Sequence, residues 1–313
     1  MSPTKVESVI KYFTGDSEVK VRWYHEKASS LLSDLFLMVM TSFFYGKIME
    51  THRQLSKHIE SQETEPYVSK RLVVKIGTST ITGGRENLDT KFMDSIATQL
   101  SILYTNGIQP YLVTSGAVGC GKVLMSNYDG SRKKKQIAAA LGQPILIEQW
   151  KQQFNKYGIN IYQVLVTERD VEYAQQLLAD MIDGIPIINA NDTVNPFEIM
   201  QLEKSADNDE LTKHIALAVQ ADTVLLLSDR SVENKFGCPM QTIYPDSYYG
   251  YELEFYGSNK VGTGGMQSKH NVALSLAQQG IRSIIGNGRE ENIILNAAKG
   301  KLVGTTYLPP DSS

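Results

Sequence analysis

The residues of this chain best suited to binding phosphate are two lysines in glycine-containing segments, Lys75 and Lys269. Lys75 lies in a β-branched apolar run and is followed by Gly77 and Thr78, so an ammonium group, a hydroxyl and backbone N–H groups could face one phosphate. The pattern also fits a lysine that only ends a strand. It is not a Walker A loop, because no GxxxxGK segment is followed by Ser or Thr. Taken alone, this segment leaves both interpretations open.

The glycine-rich segment 261–269 is the most specific motif in the chain. It leads into a helical pattern whose first turn ends with Lys269, so backbone N–H groups, the positive end of a helix and an ammonium group would surround a polyphosphate. A glycine-rich loop without the helix and the lysine would be weak evidence. The predicted contacts are Thr263, Gly264, Gly265, Met266, Gln267, Ser268 and Lys269.

Three other segments place small or polar residues directly after apolar runs. Residues 114–121 contain three glycines, which favours an anion-binding loop, since a tight turn needs only one. Residues 187–193 could bind an acceptor and hold lysines, but they could equally form an Asx-rich turn. The same two interpretations apply to residues 226–229, which end in a hydroxyl and a carboxylate.

The elements that must position these motifs alternate between apolar runs and helical patterns from residue 71 onward. The runs are residues 72–76, 110–114, 161–166, 185–188, 223–227 and 283–285. Helices are predicted over 89–104, over a segment with Pro144 in its first turn, over 207–220 with an acidic first turn, and after Gly265 with Gly280 as the stop. This alternation predicts a three-layer αβα sandwich with a mainly parallel central sheet, which binds ligands at the carboxyl ends of its strands.

The first 69 residues differ in texture and predict a helical N-terminal extension of unknown role, followed by a second domain over 70–313. Their most apolar part, residues 31–45, is shorter than the roughly 20 residues that a membrane span needs. We therefore expect a buried or interface helix there, and no membrane partner. The formal charge of −3 gives no general attraction for nucleic acid. With only two cysteines, Cys120 and Cys238, which we expect to be small core residues, a reducing cytoplasm is the expected compartment.

The five motifs, in this order, resemble the amino-acid kinase superfamily, and within it the glutamate 5-kinases. The similarity extends to the kinase half of pyrroline-5-carboxylate synthases. It includes segments 135–143, 163–167 and 303–305, and covers residues 71–307. The resemblance implies that ATP, with Mg²⁺, phosphorylates the γ-carboxylate of glutamate. It also implies an acceptor-binding half at about 70–205, a nucleotide-binding half at about 206–308, and a homo-oligomer, dimer or tetramer.

The resemblance also implies roles for single residues. Lys75 and Lys269 would contact the transferred phosphoryl group, with Asp192 as the carboxylate that organises them. The acceptor contacts would be Ser115, Gly116, Ala117 and Asn191. The nucleotide contacts would be Lys75, Gly77, Thr78, Ser228, Asp229, Thr263, Gly264, Gly265, Met266, Gln267, Ser268 and Lys269.

Two departures from the family pattern keep alternatives open. Segment 167–186 is shorter than in the family by about two helical turns, so the acceptor could be another amino acid or a phosphorylated metabolite. Residues 230–238 do not follow the family's nucleotide loop, which leaves base recognition open. A third hypothesis is a catalytically silent nucleotide-binding or assembly protein that uses the N-terminal helices as an interface. The presence of Lys75, Asp192 and Lys269 argues against it.

Overall fold

The structure of the protein is a computed structural model that describes residues 66–167, 170–181, 183–194, 208–234, 236–246, 253–254 and 265–310. The helices expected within residues 1–61, with the apolar segment 31–45, lie outside this range. No helix in the described ranges is both long and apolar enough to cross a membrane.

The described residues form strands and helices in alternation, as the sequence predicts. The strands are β1 Arg71–Ile76, β2 Gln109–Thr114, β3 Ile161–Val166, β4 Ile185–Ala190, β5 Thr223–Ser228, β6 Glu233–Asn234, β7 Thr242–Ile243, β8 Leu253–Glu254, β9 Arg282–Asn287 and β10 Thr305–Tyr307. The helices are α1 Thr78–Thr82, α2 Thr90–Thr105, α3 Ala117–Lys122, α4 Arg132–Asn155, α5 Val171–Asp180, α6 Asn208–Ala218, α7 Met266–Gln278 and α8 Ile293–Ala298.

Eight of the strands form one sheet in the order β3-β4-β2-β1-β5-β9-β10-β7. Every neighbouring pair is parallel except β9 with β10. On one face Val73 of β1 belongs to a core shared with Leu211 of α6 and Val272 of α7, and the alternate residues Leu72 and Val74 are buried too. Burial of both faces is typical of the parallel part of such a sheet. The predicted αβα sandwich with a mainly parallel sheet is confirmed.

Two helix boundaries lie where the sequence predicts them, and one does not. Asp89 caps α2 by accepting a hydrogen bond from the Phe92 N–H, and Gly280 follows α7 with a φ of 84°, which suits glycine. The placement of Pro144 in a first turn was wrong, because it lies inside the 24-residue α4. A proline there lacks one N–H donor. It is exposed, so the carbonyl it leaves unpaired is close to water.

The two cysteines differ in burial. Cys120 is buried on α3, and burial raises the pKa of its thiol. Cys238 is exposed, so the expectation that it packs in the core was wrong. It lies in a short turn where its N–H donates to the Asn234 side chain, and a turn of this kind needs the backbone hydrogen bond rather than an apolar side chain.

Helices α3 and α4 cross with their backbones in direct contact at two glycines. A Cβ added to Gly121 would lie 1.8 Å from the Ala138 carbonyl oxygen, and one added to Gly142 would lie 1.9 Å from the Ala117 carbonyl oxygen. Both atoms belong to the backbone, so neither can move aside without the whole helix. The crossing therefore fixes α3, and with it the loop between β2 and α3.

We expect Gly142→Ala to lower the free energy of unfolding by at least about 2 kcal/mol, since overpacking a tight contact costs roughly 1–3 kcal/mol. Chemical denaturation measures the change. Gly119→Ala, on the same helix α3 as Gly121, is the matched control, because its added Cβ would come no closer than 3.9 Å to Thr78 Cγ2. Equal stability of the Gly142→Ala variant and the wild type would contradict the close crossing.

Candidate active site

The two predicted phosphate-binding lysines meet at one carboxylate, although they are 194 residues apart in sequence. Lys75 Nζ donates to Asp209 Oδ1, and Lys269 Nζ lies 3.3 Å from Asp209 Oδ2. All three side chains are buried. Lys75 comes from β1, Asp209 from the first turn of α6 and Lys269 from the first turn of α7. Two ammonium groups and one carboxylate leave these three side chains with a net positive charge, which suits an anion.

Asp209, and not Asp192, is the carboxylate that organises the lysines, so the role given to Asp192 was wrong. Within the described ranges Asp192 forms no ion pair with either lysine. The reason is the direction of the chain after β4, where the Asn191 N–H donates to the Val166 carbonyl of β3. This turn follows the edge strand, away from Lys75 on β1.

Asp192 and Asn191 lie, partly buried, in the turn after β4. Burial raises the pKa of Asp192 from 3.8 to about 6, because a low-dielectric environment disfavours the charged form. Among the described residues no hydrogen-bond donor to this carboxylate is found. A cationic group of a ligand would compensate for the lost hydration.

Asn208, the residue before Asp209, ties together the ends of two strands. Its Nδ2 donates to the Thr114 carbonyl at 2.9 Å, to Ser115 Oγ at 2.7 Å and to Asn189 Oδ1 at 3.1 Å. Asn189 in turn donates to Gln143 Oε1 on α4 at 2.8 Å. These contacts hold Ser115 next to the Lys75–Asp209–Lys269 cluster, on the side of β2 and β4.

The loop after β2 carries Ser115, Gly116 and Ala117, the predicted acceptor contacts. The Ser115 N–H donates to the Ile76 carbonyl, which fixes this loop against the end of β1. Gly116 has a φ of 119°, a value that favours glycine. Two of the three glycines therefore have a structural reason of their own, since Gly116 serves the turn and Gly121 serves the helix crossing. Only Gly119 is left for a ligand, and it faces Thr78.

The loop after β1 and the end of β5 lie side by side on the other flank of the cluster. Gly77 is next to the Lys75 ammonium group, since a Cβ there would lie 3.6 Å from Nζ, and Thr78 begins α1. Leu227 pairs with Ile76, so Ser228 lies one residue beyond this pair, at the level of Gly77. The Ser228 hydroxyl lies 3.3 Å from Asp229 Oδ1. Gly77, Thr78, Ser228 and Asp229 thus share one edge with Lys75.

The glycine-rich segment is described from Gly265 onward, and Thr263 and Gly264 lie outside the described residues. Gly265 is the N-cap of the 13-residue α7, and Met266, Gln267, Ser268 and Lys269 form its first turn. The predicted helix start with a lysine in the first turn is confirmed. The backbone N–H groups of this turn carry the positive end of the helix dipole.

Next to Lys269, His270 attaches α7 to the sheet. Its Nδ1 lies 2.7 Å from the Tyr307 hydroxyl on β10, and burial lowers the pKa of this histidine from 6.5 to about 4. Between these two values the unfolded chain binds a proton that the folded chain does not, so stability falls as the pH falls. This difference in pKa corresponds to about 3 kcal/mol in the free energy of unfolding.

We therefore expect the difference in free energy of unfolding between the wild type and His270→Phe to change by this amount between pH 7 and pH 4. Urea denaturation measures it. A gap that is independent of pH would contradict the assignment.

The sequence signal that was missed is the acidic and amide residues 207–209, which were interpreted only as an acidic first turn suited to the helix dipole. Asp209 does lie in that first turn, but it is fully buried, which dipole stabilisation does not require. An Asn-Asp pair that begins a helix directly after a polar segment could have been recognised as a site, because buried carboxylates need cationic partners.

The fold and this site define the class of the protein, and comparison with known proteins agrees. A model of the amino acid kinase family matches residues 70–287. The chain belongs to this family.

Among curated relatives, the glutamate 5-kinase of Caldanaerobacter subterraneus subsp. tengcongensis is 34% identical over 259 residues, which covers 76% of this chain and 68% of that protein. The glutamate 5-kinase of Enterococcus faecalis is 33% identical and is covered over 95% of its length. The crystal structure of UMP kinase from Bacillus anthracis superposes with a TM-score of 0.54 at 15% identity, covering 78% of this chain and 97% of that one. The last comparison shows the shared fold alone.

Proposed function

We propose that this chain transfers the γ-phosphate of ATP to the γ-carboxylate of L-glutamate, which gives γ-glutamyl phosphate and ADP and begins proline biosynthesis. The observation that carries the proposal is the Lys75–Asp209–Lys269 cluster, with strand ends suited to an acceptor on one side and to a nucleotide on the other. The relatives named glutamate 5-kinase support glutamate as the acceptor.

The reaction needs positioning and charge rather than a general base. An oxygen of the γ-carboxylate, with a reference pKa of about 4.3, is already ionised at neutral pH and attacks the γ-phosphorus. The bond from that phosphorus to the bridging oxygen breaks, and ADP leaves with the electron pair. The obstacle is repulsion between the carboxylate and the phosphates, so cations at the transferred group supply most of the catalysis.

In this proposal Lys75 and Lys269 bind the phosphoryl group, and Asp209 holds their ammonium groups in place. Since each Asp209 oxygen faces a different lysine, the carboxylate fixes the separation of the two cations before ATP binds. Preorganised charges of this kind need no rearrangement during the reaction. Gly77, Thr78, Ser228, Asp229 and the first turn of α7 are the proposed nucleotide contacts, together with Thr263 and Gly264.

Mg²⁺ would arrive with the nucleotide. In the described ranges no group of three His, Cys, Asp or Glu side chains could hold a metal ion, and both oxygens of Asp209 face lysines. This donor set fits an ion held mainly by phosphate oxygens and water, which is how Mg²⁺ commonly binds in kinases. The ion would neutralise part of the phosphate charge.

The acceptor would bind between Ser115, Gly116 and Ala117 on one side and Asn191 and Asp192 on the other. The raised pKa of Asp192 gives this carboxylate a reason to bind a cation, and the α-ammonium group of an amino acid is one. Asn208 donates a hydrogen bond to the Ser115 hydroxyl and holds it in place, so Asn208 is a positioning residue here.

We expect the KM for glutamate to rise as the pH falls below about 6, because Asp192 then takes up a proton and loses its charge. The substrate carboxylates stay ionised in this range. Initial rates between pH 5 and pH 8 give the KM profile. In Asp192→Asn the KM should be high and flat over the same range, and an inflection that survives in this variant would contradict the assignment.

The test of the function is ADP release by the full chain with a panel of amino acids, and hydroxylamine trapping of any acyl phosphate. The proposal expects a hydroxamate with glutamate at rates well above those with aspartate or without acceptor. Equal rates for all acceptors, or ADP release without hydroxamate, would refute it.

We further propose that the protein is a homo-oligomer and that it acts in the cytoplasm.

A further inference from the structure

Asp89, which caps α2, also joins two segments that lie beyond the carboxyl ends of strands. Its carboxylate accepts a hydrogen bond from Arg289 Nη2, in the loop after β9, at 2.9 Å. Its backbone N–H donates to the Ile81 carbonyl of α1, also at 2.9 Å. One residue therefore connects the segment that follows β1 with the segment that follows β9.

Backbone hydrogen bonds continue from this residue pair to the proposed nucleotide contacts on both sides. The N–H of Gly288, the residue before Arg289, donates to the Ser228 carbonyl at the end of β5 at 3.0 Å. In α1, the Ile81 N–H donates to the Gly77 carbonyl at 3.0 Å. The β1–β5 pairing ends at Ile76 and Leu227, so the sheet itself does not fix the segments beyond these two residues.

The guanidinium group of Arg289 is held by more than an ion pair, which matters because an exposed ion pair alone contributes little. Arg289 is 49% exposed, but its Cζ lies 5.1 Å from the ring centroid of the buried Phe92. Gly83 leaves room for it, since a Cβ there would lie 2.7 Å from Arg289 Nη2. Burial would raise the pKa of Asp89, but the hydrogen bond at the helix cap and the nearby arginines together hold this pKa below its ordinary value.

We propose that the Asp89–Arg289 ion pair positions the nucleotide-binding loops, by holding the segments after β1 and β5 at the separation that the phosphates of ATP require. Both side chains act through backbone hydrogen bonds to the proposed contacts, so they are positioning residues. This role rests on the nucleotide contacts of the function proposed above, and it does not depend on the identity of the acceptor.

The ion pair lies on the nucleotide side of the Lys75–Asp209–Lys269 cluster. Strands β1, β5 and β9 are consecutive in the sheet, whereas β2 and β4, whose ends carry the proposed acceptor contacts, lie on the other side of β1. The acceptor side has its own support in the hydrogen bonds of Asn208. Loss of the ion pair should therefore weaken nucleotide binding and leave the KM for glutamate unchanged.

The test is the binding of AMP-PNP with Mg²⁺ to the full chain, measured by isothermal titration calorimetry without acceptor. Arg289→Ala and Asp89→Asn should each raise the Kd about 10-fold, the scale of one charge-assisted hydrogen bond. Asparagine keeps an oxygen for the helix cap. The double variant should bind no more weakly than Arg289→Ala, because both changes break the same contact. Arg289→Lys keeps the charge and should restore most of the affinity.

Steady-state kinetics separate positioning from a general loss of structure. In Arg289→Ala the KM for ATP should rise by the same factor as the Kd, while turnover and the KM for glutamate stay at the wild-type values. Arg85→Met is the matched control. It removes the other arginine that contacts Asp89, which is 69% exposed, and should leave nucleotide binding unchanged.

Two adjacent glycines give a second, steric test. Gly83 and Gly84 have φ values of 60° and 74°, so alanine strains the backbone similarly at both. The Cβ at position 83 would meet Arg289, whereas among the described residues no atom lies within 4 Å of the Cβ at position 84. Gly83→Ala should therefore bind nucleotide more weakly than Gly84→Ala, and the difference should vanish when Arg289→Ala is added.

The outcomes distinguish this role from the catalytic proposal. If the variants at Asp89 and Arg289 lower the free energy of unfolding in urea but leave nucleotide binding unchanged, the ion pair only stabilises the fold and its positioning role is wrong. The role is also wrong if Arg289→Ala raises the KM for ATP and for glutamate equally. If the wild type does not bind AMP-PNP, both this role and the proposed function fall. If nucleotide binding depends on the ion pair but glutamate gives no hydroxamate, the positioning role stands and the glutamate kinase proposal alone falls.

Discussion

Replacing Asp209 with Asn should lower the turnover of glutamate phosphorylation by a factor on the order of 10² or more, the scale of lost transition-state charge stabilisation. The carboxylate holds Lys75 and Lys269 at its two oxygens, and an amide cannot attract both ammonium groups equally. The same change leaves two buried cations without their shared anion, so the free energy of unfolding should fall by roughly 3–5 kcal/mol. Steady-state kinetics and chemical denaturation measure the two effects.

Asp192→Asn is the matched control, since it removes one carboxylate from the neighbouring turn after β4. We expect it to raise the KM for glutamate more than it lowers turnover, because Asp192 is proposed to bind the acceptor and not to organise the lysines. If Asp192→Asn abolished turnover while Asp209→Asn kept it near the wild-type rate, the assignment drawn from the ion pairs would be wrong.

Lys75→Ala and Lys269→Ala should each reduce turnover by a factor on the order of 10² or more, since each removes a preorganised cation from the transferred phosphoryl group. Because both lysines share Asp209, their effects should not be additive, and the double variant should lose less than the product of the two single losses. Rates of acyl phosphate formation at saturating ATP give the three values.

Lys151→Ala, at an exposed position on α4, controls for the loss of a lysine elsewhere and should keep the wild-type rate. If both Lys75→Ala and Lys269→Ala had wild-type-like turnover, these side chains would have no role in the mechanism, even though the fold is that of the family.

The sequence predicts the central strands well because they contain apolar runs, and such runs need no tertiary information to be recognised. The buried strand β10, Thr-Thr-Tyr, contains no such run and was not predicted. Residues 161–166 coincide with β3, and residues 72–76 lie within β1. What the sequence does not contain is the strand order, since β1 pairs with β5 across about 150 residues. For Pro144 the local sequence preference led to a wrong prediction. A local preference for the first turn of a helix was overridden by packing along the whole of α4.

At the active site, the sequence identifies the lysines because glycine and hydroxyl residues surround them. It assigns the carboxylate wrongly because two Asn-Asp pairs occur, at 191–192 and 208–209, and either could face Lys75. Only the path of the chain after β4 and the position of α6 decide between them. Gly121 is a similar case, since its contact with the Ala138 carbonyl exists only once the two helices have met.

The central position of β1 has a consequence for synthesis on the ribosome. This strand emerges before both of its neighbours, and one of them, β5, begins about 150 residues later. At about 5–20 residues per second, the nascent chain waits roughly 8 to 30 s with an unpaired apolar edge. During that interval the exposed apolar edge is available for chaperones to bind. Depletion of ribosome-associated chaperones should therefore reduce the soluble yield of this protein more than that of proteins whose central strand is synthesised last.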